Sequence, residues 1–73
     1  MVSIDMPATG EHIRKLVKEN NMTTSQLQRL LGFNTPQAIY KWYKGVCLPS
    51  VDNLFLLAEI FKCSIEDIVV RRS

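Results

Sequence analysis

The chain has 73 residues, of which 47% are hydrophobic and 22% charged, and nine basic against seven acidic residues give a net charge of +2. This length suits one small domain, predicted to span residues 1–73, and so apolar a composition excludes a disordered chain. One histidine and two cysteines exclude a usual zinc site, and no apolar run is long enough to cross a bilayer. We therefore predict a cytoplasmic protein with no cofactor, no metal and no membrane contact.

The sequence contains no alternating strand pattern longer than a few residues and only three glycines. Both features favour an all-α fold, and the cap and turn residues divide the chain into five helices joined by short connectors. We predict a compact five-helix bundle with its core over about residues 8–69 and with loosely ordered ends at residues 1–5 and 71–73.

Helix one is expected to begin near Pro7 or Thr9, since proline suits a first turn and the threonine is a candidate cap. Its apolar stripe consists of Ile13, Leu16 and Val17. Asn20 and Asn21 end it, because asparagine tolerates the left-handed backbone of a helix exit. His12 is expected to be an exposed helix residue, as no second histidine or cysteine lies near it in the sequence.

The start of helix two is the clearest local signal in the chain. Thr23 and Gln26 have the spacing of a capping box, and Gly32 stands where a left-handed residue closes the helix. The positions expected to face inward are Leu27, Leu30 and Leu31. A helix of about two turns must be held in place by packing.

Helix three follows a tight corner, in which Asn34 or Thr35 is the candidate cap and Pro36 presets the first turn, and it ends near Gly45. At 3.6 residues per turn its side chains divide into two stripes. The inward stripe contains Ala38, Ile39 and Trp42. The outward stripe contains Gln37, Tyr40, Lys41 and Lys44.

Helix four begins at Ser50 as its cap, and its apolar positions are so numerous that we expect it to be central and covered on more than one side. These positions are Val51, Leu54, Phe55, Leu56, Leu57, Ala58, Ile60 and Phe61. Ser64 and Asp67 start a short fifth helix, whose negative end is closed by Arg71 and Arg72.

The outward stripe of helix three offers a planar amide, a phenol and two ammonium groups. This mixture can hydrogen-bond base edges and neutralise phosphates in a DNA major groove. The charge distribution points the same way, since no acid lies between Glu19 and Asp52 and residues 33–50 carry a net charge of +2. We therefore hypothesise that helix three binds double-stranded DNA.

Two short helices joined by a glycine-containing turn form the helix-turn-helix pattern. The segments that carry it are Ile13-Arg14-x-Leu16, Met22-Thr23-x-x-x-Leu27, Leu31-Gly32, Ile39-x-x-Trp42-x-x-Gly45, Leu48-Pro49-Ser50 and Leu54-x-x-Leu57-Ala58. Through these segments, over about residues 8–69, the chain resembles the Cro and repressor type of helix-turn-helix domain, often called Xre-like. The resemblance implies a five-helix bundle of the lambda-repressor-like type, with helices two and three as the motif. It also implies docking of helix three in the major groove, usually as a homodimer, in transcriptional repressors and in antitoxins of toxin–antitoxin pairs.

Two departures from the family pattern change the expected contacts of helix three. One extra residue, together with Pro36, precedes this helix, which shifts its first contacts with DNA. Tyr43 replaces a glutamate that often pairs with the helix-one arginine, which leaves Arg14 for another partner. Tyr43 itself is expected either at the edge of the core or in contact with the DNA backbone.

Base-edge or groove-facing contacts are expected from Gln37, Tyr40 and Lys41, and phosphate contacts from Thr35 and Lys44. Thr24 stands where the family commonly has a glutamine that contacts a phosphate and braces the recognition helix. That contact is therefore either weaker here or made by Ser25 or Gln26. Two alternatives remain: Tyr40 packs sideways on the domain, and the two lysines of helix three form a solvated face.

The leading hypothesis is thus repression of transcription by a DNA-binding homodimer. The alternative is a protein-interaction module such as an antitoxin, which would dock a protein partner through helix four and the tail at residues 68–70. An enzyme is not expected, since the sequence shows no Ser/His/Asp or Cys/His constellation, no phosphate-binding glycine loop and no paired carboxylates in an apolar setting.

Overall fold

The computed structural model describes residues 3–72 and contains four α-helices, one 3-10 turn and two short strands. In chain order these are β1 (Ser3–Ile4), α1 (Met6–Glu19), α2 (Thr24–Leu31), α3 (Gln37–Tyr43), α4 (Val51–Phe61), the 3-10 helix (Ile65–Asp67) and β2 (Arg71–Arg72). The mostly helical architecture is confirmed, but the prediction of five helices is wrong. Ser64 and Asp67 do form a capping box, yet it starts only one turn, because the backbone at Val70 then leaves the helical path to pair with α1.

The two strands form an antiparallel pair that joins the first and last elements of the described residues 3–72. The register places Ser3 opposite Arg72 and Ile4 opposite Arg71. The amide of Asp5 extends this pairing by donating to the carbonyl of Val70 at 2.8 Å. Strand pairing contradicts the all-α prediction and places the two arginines outside any helix. The prediction of loosely ordered ends falls partly on residues 1, 2 and 73, which lie outside the described residues. Strands of two residues carry no side-chain alternation that a sequence pattern reveals.

The side chains of Thr9 and His12 bind the C-terminal segment to α1, and the roles of both differ from the predictions. The cap of α1 is instead Asp5, whose side chain accepts from the amide of Ala8 at 3.0 Å. Thr9 is not the cap, because it lies within α1 and is fully buried. Its hydroxyl accepts from the amide of Val70 at 2.9 Å. His12 is partly buried rather than exposed, and its Nδ1 donates to the carbonyl of Ile68 at 3.1 Å, since a carbonyl can only accept.

Side-chain caps begin α2 and α4 as predicted. The hydroxyl of Thr23 accepts from the amide of Gln26 at 3.1 Å, and the side chain of Gln26 accepts from the amide of Thr23 at 2.9 Å. At α4, the hydroxyl of Ser50 accepts from the amide of Asn53 at 3.4 Å. These bonds satisfy amides that have no partner within their helix.

The start of α3 differs from the prediction. Pro36 occupies the cap position itself, and no side chain accepts a hydrogen bond from the first turn. Asn34 and Thr35 are therefore displaced into the preceding corner and do not cap the helix. The seven residues of α3 depend on their packing against the rest of the domain.

Every α-helix is followed by a residue with left-handed backbone, as predicted for the first two, whereas Gly45 was predicted only to end the third. These residues are Asn21, Gly32, Gly45 and Lys62, with φ angles between 56° and 75°. The amide that follows each of them returns to a carbonyl five positions earlier, namely Met22 to Val17, Phe33 to Gln28, Val46 to Lys41 and Cys63 to Ala58. Such endings satisfy the last carbonyls and allow connectors of only a few residues.

The core lies where the inner faces of the four helices meet. Its buried apolar residues are Ile13, Val17, Leu27, Leu31, Ile39, Trp42, Leu57, Phe61 and Ile68. Leu30 was expected among them, but 59% of it is exposed. The expectation of a central α4 is also wrong, because Val51 and Phe55 are 65% and 64% exposed. No helix within residues 3–72 is long and apolar enough to cross a membrane.

Candidate nucleic-acid interface

Helix α3 has one side in the core and the other open to solvent. Ile39 is fully buried and Trp42 is 4% exposed, whereas Tyr40 is 47% exposed. The other members of the outward stripe, Gln37, Lys41 and Lys44, are exposed as well. The predicted division of this helix is therefore confirmed for Ile39 and Trp42, while Ala38 is only partly buried. The amide, phenol and ammonium groups of the outward stripe lie on the surface.

Two contacts seat the buried side of α3. The ring of Trp42 meets the ring of Phe33 edge to face, with the centroids 5.8 Å apart and the planes at 66°. On the other side the end of α3 lies directly on α1 at Gly10, where an added Cβ atom would be 2.0 Å from the carbonyl oxygen of Trp42. Gly10 was missed in the sequence because a glycine within a helical pattern does not reveal what approaches it.

The remaining predicted contact residues lie on α2 and in the corner before α3. Ser25 and Thr35 are exposed, while Thr24 is only partly buried. The hydroxyl of Thr24 lies 3.1 Å from the hydroxyl of Tyr43, so one of them donates to the other. The side chain of Gln26 is taken up by the capping box. All seven predicted site residues thus reach the surface of the motif, although the Thr24 hydroxyl already has a partner.

Tyr43 lies at the edge of the core, which is the first of the two placements expected for it. It is partly buried, and its ring meets that of Tyr40 edge to face at a centroid distance of 5.9 Å. The guanidinium carbon of Arg14 lies 5.9 Å from the Tyr43 ring centroid, within the range of a cation–π contact. The aromatic ring is therefore the partner that Arg14 gains in place of a glutamate.

Burial raises the pKa of the Tyr43 phenol above its ordinary value, and the neighbouring Tyr40 adds to this. The hydrogen bond with Thr24 and the charge of Arg14 lower this pKa, but each has a smaller effect than burial. The phenol is consequently neutral at physiological pH. It can donate its proton to the Thr24 hydroxyl or accept one from it.

A groove beside this contact collects further positive charge. It runs between α1 and the helix-turn-helix segment, and the cations that line it are Arg14, Lys18 and Lys44. Glu11 is the one acid among the lining residues. Lys18 was not predicted as part of the site, although its position four residues after Arg14 places both on one side of α1. Within residues 3–72 the only ion pair joins Lys15 to Glu19 at 4.0 Å, so Lys41 and Lys44 keep their charges unpaired.

A family model described as helix-turn-helix matches residues 13–68, a span that runs from α1 through the 3-10 turn. No curated protein and no solved structure matches the chain.

Proposed function

Because the chain belongs to the helix-turn-helix family, of the Cro and repressor (Xre-like) type, we propose that it binds a specific double-stranded DNA sequence and represses transcription. The observation that carries this proposal is the open polar side of α3. A helix seated by Ile39 and Trp42, with its amide and phenol groups pointing outward, can enter the major groove without moving the rest of the domain.

The side chains of α3 differ in what they can recognise. Gln37 carries an amide that can pair with an adenine edge through two hydrogen bonds, and Tyr40 and Lys41 face the same groove. Lys44 and Thr35, at the two ends of the helix, contact phosphates and set its register. Ser25 and the amide of Thr24 add a phosphate contact at the start of α2.

Selection of bound duplexes from a random DNA pool tests this proposal. We expect a short consensus, because base-edge contacts distinguish sequences by about 1–3 kcal/mol for each good pair. Gln37→Ala should relax the consensus at one position, whereas Lys44→Ala should weaken binding to all sequences alike. A pool with no consensus after repeated rounds would contradict sequence-specific binding.

The domain acts as a homodimer in this proposal, with α4 as the contact between copies. Phe55 and Leu56 are 64% and 41% exposed, and such an apolar surface is typical of interfaces. Asp52 precedes this pair on the exposed surface and Lys62 follows it. Two copies of α4 packed antiparallel about a two-fold axis bring these unlike charges opposite each other. The two α3 helices then read half-sites about 34 Å apart.

Sedimentation velocity with Phe55→Glu tests the dimer. The charge should dissociate the dimer and weaken binding to a palindromic site, while affinity for a single half-site stays the same. Leu30→Glu is the matched control, since Leu30 is 59% exposed on a different helix. A variant at Phe55 that remains as dimeric as the control would rule out this face.

The exposed apolar face of α4 also favours a second candidate function, the binding of a different protein, as an antitoxin binds its toxin. Charge reversal at Lys41 and Lys44 separates the two functions. Loss of DNA binding with retention of a protein partner would show that both surfaces are used independently. A partner that is bound by a chain with no affinity for DNA would favour the interaction module alone.

A further inference from the structure

The two helices of the motif are linked at both of their ends. The corner from Gly32 to Pro36 joins the end of α2 to the start of α3 through the chain itself. At the opposite side, Thr24 is the first residue of α2 and Tyr43 is the last residue of α3, and their hydroxyls are 3.1 Å apart. A hydrogen bond between residues 19 positions apart therefore closes the motif into a ring.

Both partners in this hydrogen bond have restricted side chains. Thr24 is β-branched, which leaves its hydroxyl few orientations. The ring of Tyr43 contacts both the Arg14 guanidinium and the Tyr40 ring, each at 5.9 Å from its centroid. The contact thus has a defined geometry, and little side-chain entropy is lost when it forms.

We propose that the Thr24–Tyr43 hydroxyl pair is a positioning contact, which fixes the orientation of α3 relative to α2 and thereby sets how sharply the domain discriminates between DNA sequences. This inference rests on the proposed DNA-binding function. Neither hydroxyl needs to touch a base, because both act through the angle at which α3 is held.

The orientation of α3 affects discrimination because base-edge hydrogen bonds tolerate less displacement than lysine–phosphate contacts do. Gln37, Tyr40 and Tyr43 lie on the same helix at spacings of three residues. A rotation of α3 that moves Tyr43 therefore also moves Gln37 and Tyr40. Base-edge hydrogen bonds need donor–acceptor distances of about 2.7–3.2 Å. Attraction between lysines and phosphates changes little over the same displacement. A loosened α3 therefore loses specific affinity before it loses non-specific affinity.

The test uses the full chain, its selected DNA duplex and a scrambled duplex of equal length. The variants are Tyr43→Phe and Thr24→Val, which remove one hydroxyl each, their double variant, and Thr24→Ser, which keeps a hydroxyl. The measured quantity is the dissociation constant for the scrambled duplex divided by that for the selected duplex. This ratio should fall by about two- to tenfold in each single variant, as expected for one hydrogen bond. In the double variant the ratio should fall no further than in either single variant, because both substitutions break the same contact. Thr24→Ser should stay within about twofold of the unmodified chain.

Three results would overturn the proposal. The ratio is unchanged in both single variants, or the losses add in the double variant, or both duplexes lose affinity equally. The last two would assign Thr24 an independent DNA contact or a role in stability alone, and thermal melts of every variant distinguish those cases. An unmodified chain that binds neither duplex would instead refute the proposed function, on which this inference depends.

Discussion

Gly10 of α1 and Trp42 of α3 lie in direct contact through their backbones. A Cβ atom at residue 10 would be 2.0 Å from the carbonyl oxygen of Trp42 and 2.6 Å from that of Tyr43. No side chain fits in this space, so the depth at which α3 sits on the domain depends on the glycine. The same contact places the last turn of α3 close to Arg14, which makes a cation–π contact with the Tyr43 ring.

Substitution of Gly10 by alanine should destabilise the fold by about 1–3 kcal/mol, because the added carbon pushes α3 away from α1. This cost outweighs the gain of about 1 kcal/mol that alanine brings as the better helix former. Urea unfolding measures the difference. Gly32→Ala is the comparison, since nothing lies within 4 Å of a Cβ there and only its φ of 75° opposes the change. A Gly10→Ala protein as stable as the unmodified chain would show that α3 is not seated as described.

Leu27 and Leu30 of α2 should respond very differently to truncation. Leu27 is fully buried, so Leu27→Ala should cost about 2–5 kcal/mol of unfolding free energy. Leu30 is 59% exposed, so Leu30→Ala should stay within about 0.5 kcal/mol of the unmodified chain. Urea titrations of both variants check the exposed placement of Leu30 in the monomer. Equal losses would mean that Leu30 is covered in solution.

Asp67 should stabilise the 3-10 turn in a pH-dependent way. The amide and then the hydroxyl of Ser64 donate to its carboxylate at 3.1 and 3.0 Å, which holds the pKa of Asp67 below its ordinary value. Because the folded-state pKa is lower than that of the unfolded chain, the stabilisation is present at neutral pH and is lost as the pH falls below about 4.

Thermal melts of Asp67→Asn between neutral and acid pH test this dependence. The variant should melt below the unmodified chain at pH 7, and the gap should close in acid, where both side chains are uncharged. Glu66→Gln is the control, since Glu66 is exposed and no side-chain hydrogen bond to it is seen within residues 3–72. A gap that does not change with pH would mean that the charge of Asp67 plays no part.

Local features of the fold were predictable because the residues that determine them are close in sequence. The capping box of Thr23 and Gln26 and the left-handed Gly32 each involve a few consecutive residues. The two sides of α3 follow from the 3.6-residue period, which places Ile39 and Trp42 together. The orientation of the candidate site was therefore available from the sequence.

The features that were missed depend on residues far apart in the chain. Apolar periodicity shows which side of α4 is hydrophobic, but not whether another element covers Phe55. The hydrogen bonds from Val70 to Thr9 and from His12 to Ile68 join positions 61 and 56 apart. Their partners are set by how the C-terminal segment crosses α1, and no local pattern records that path.

The salt dependence of DNA binding tests the central claim, that the exposed side of α3 docks on DNA, most directly. The logarithm of the binding constant should fall linearly with the logarithm of the salt concentration, with a slope of about −0.9 for each phosphate contact. Lys44→Ala should make this slope shallower by about one contact. Lys15→Ala should leave it unchanged, since Lys15 lies on α1 beside Glu19. Binding that is insensitive to salt, or a slope that Lys15→Ala reduces and Lys44→Ala does not, would contradict the docking of α3.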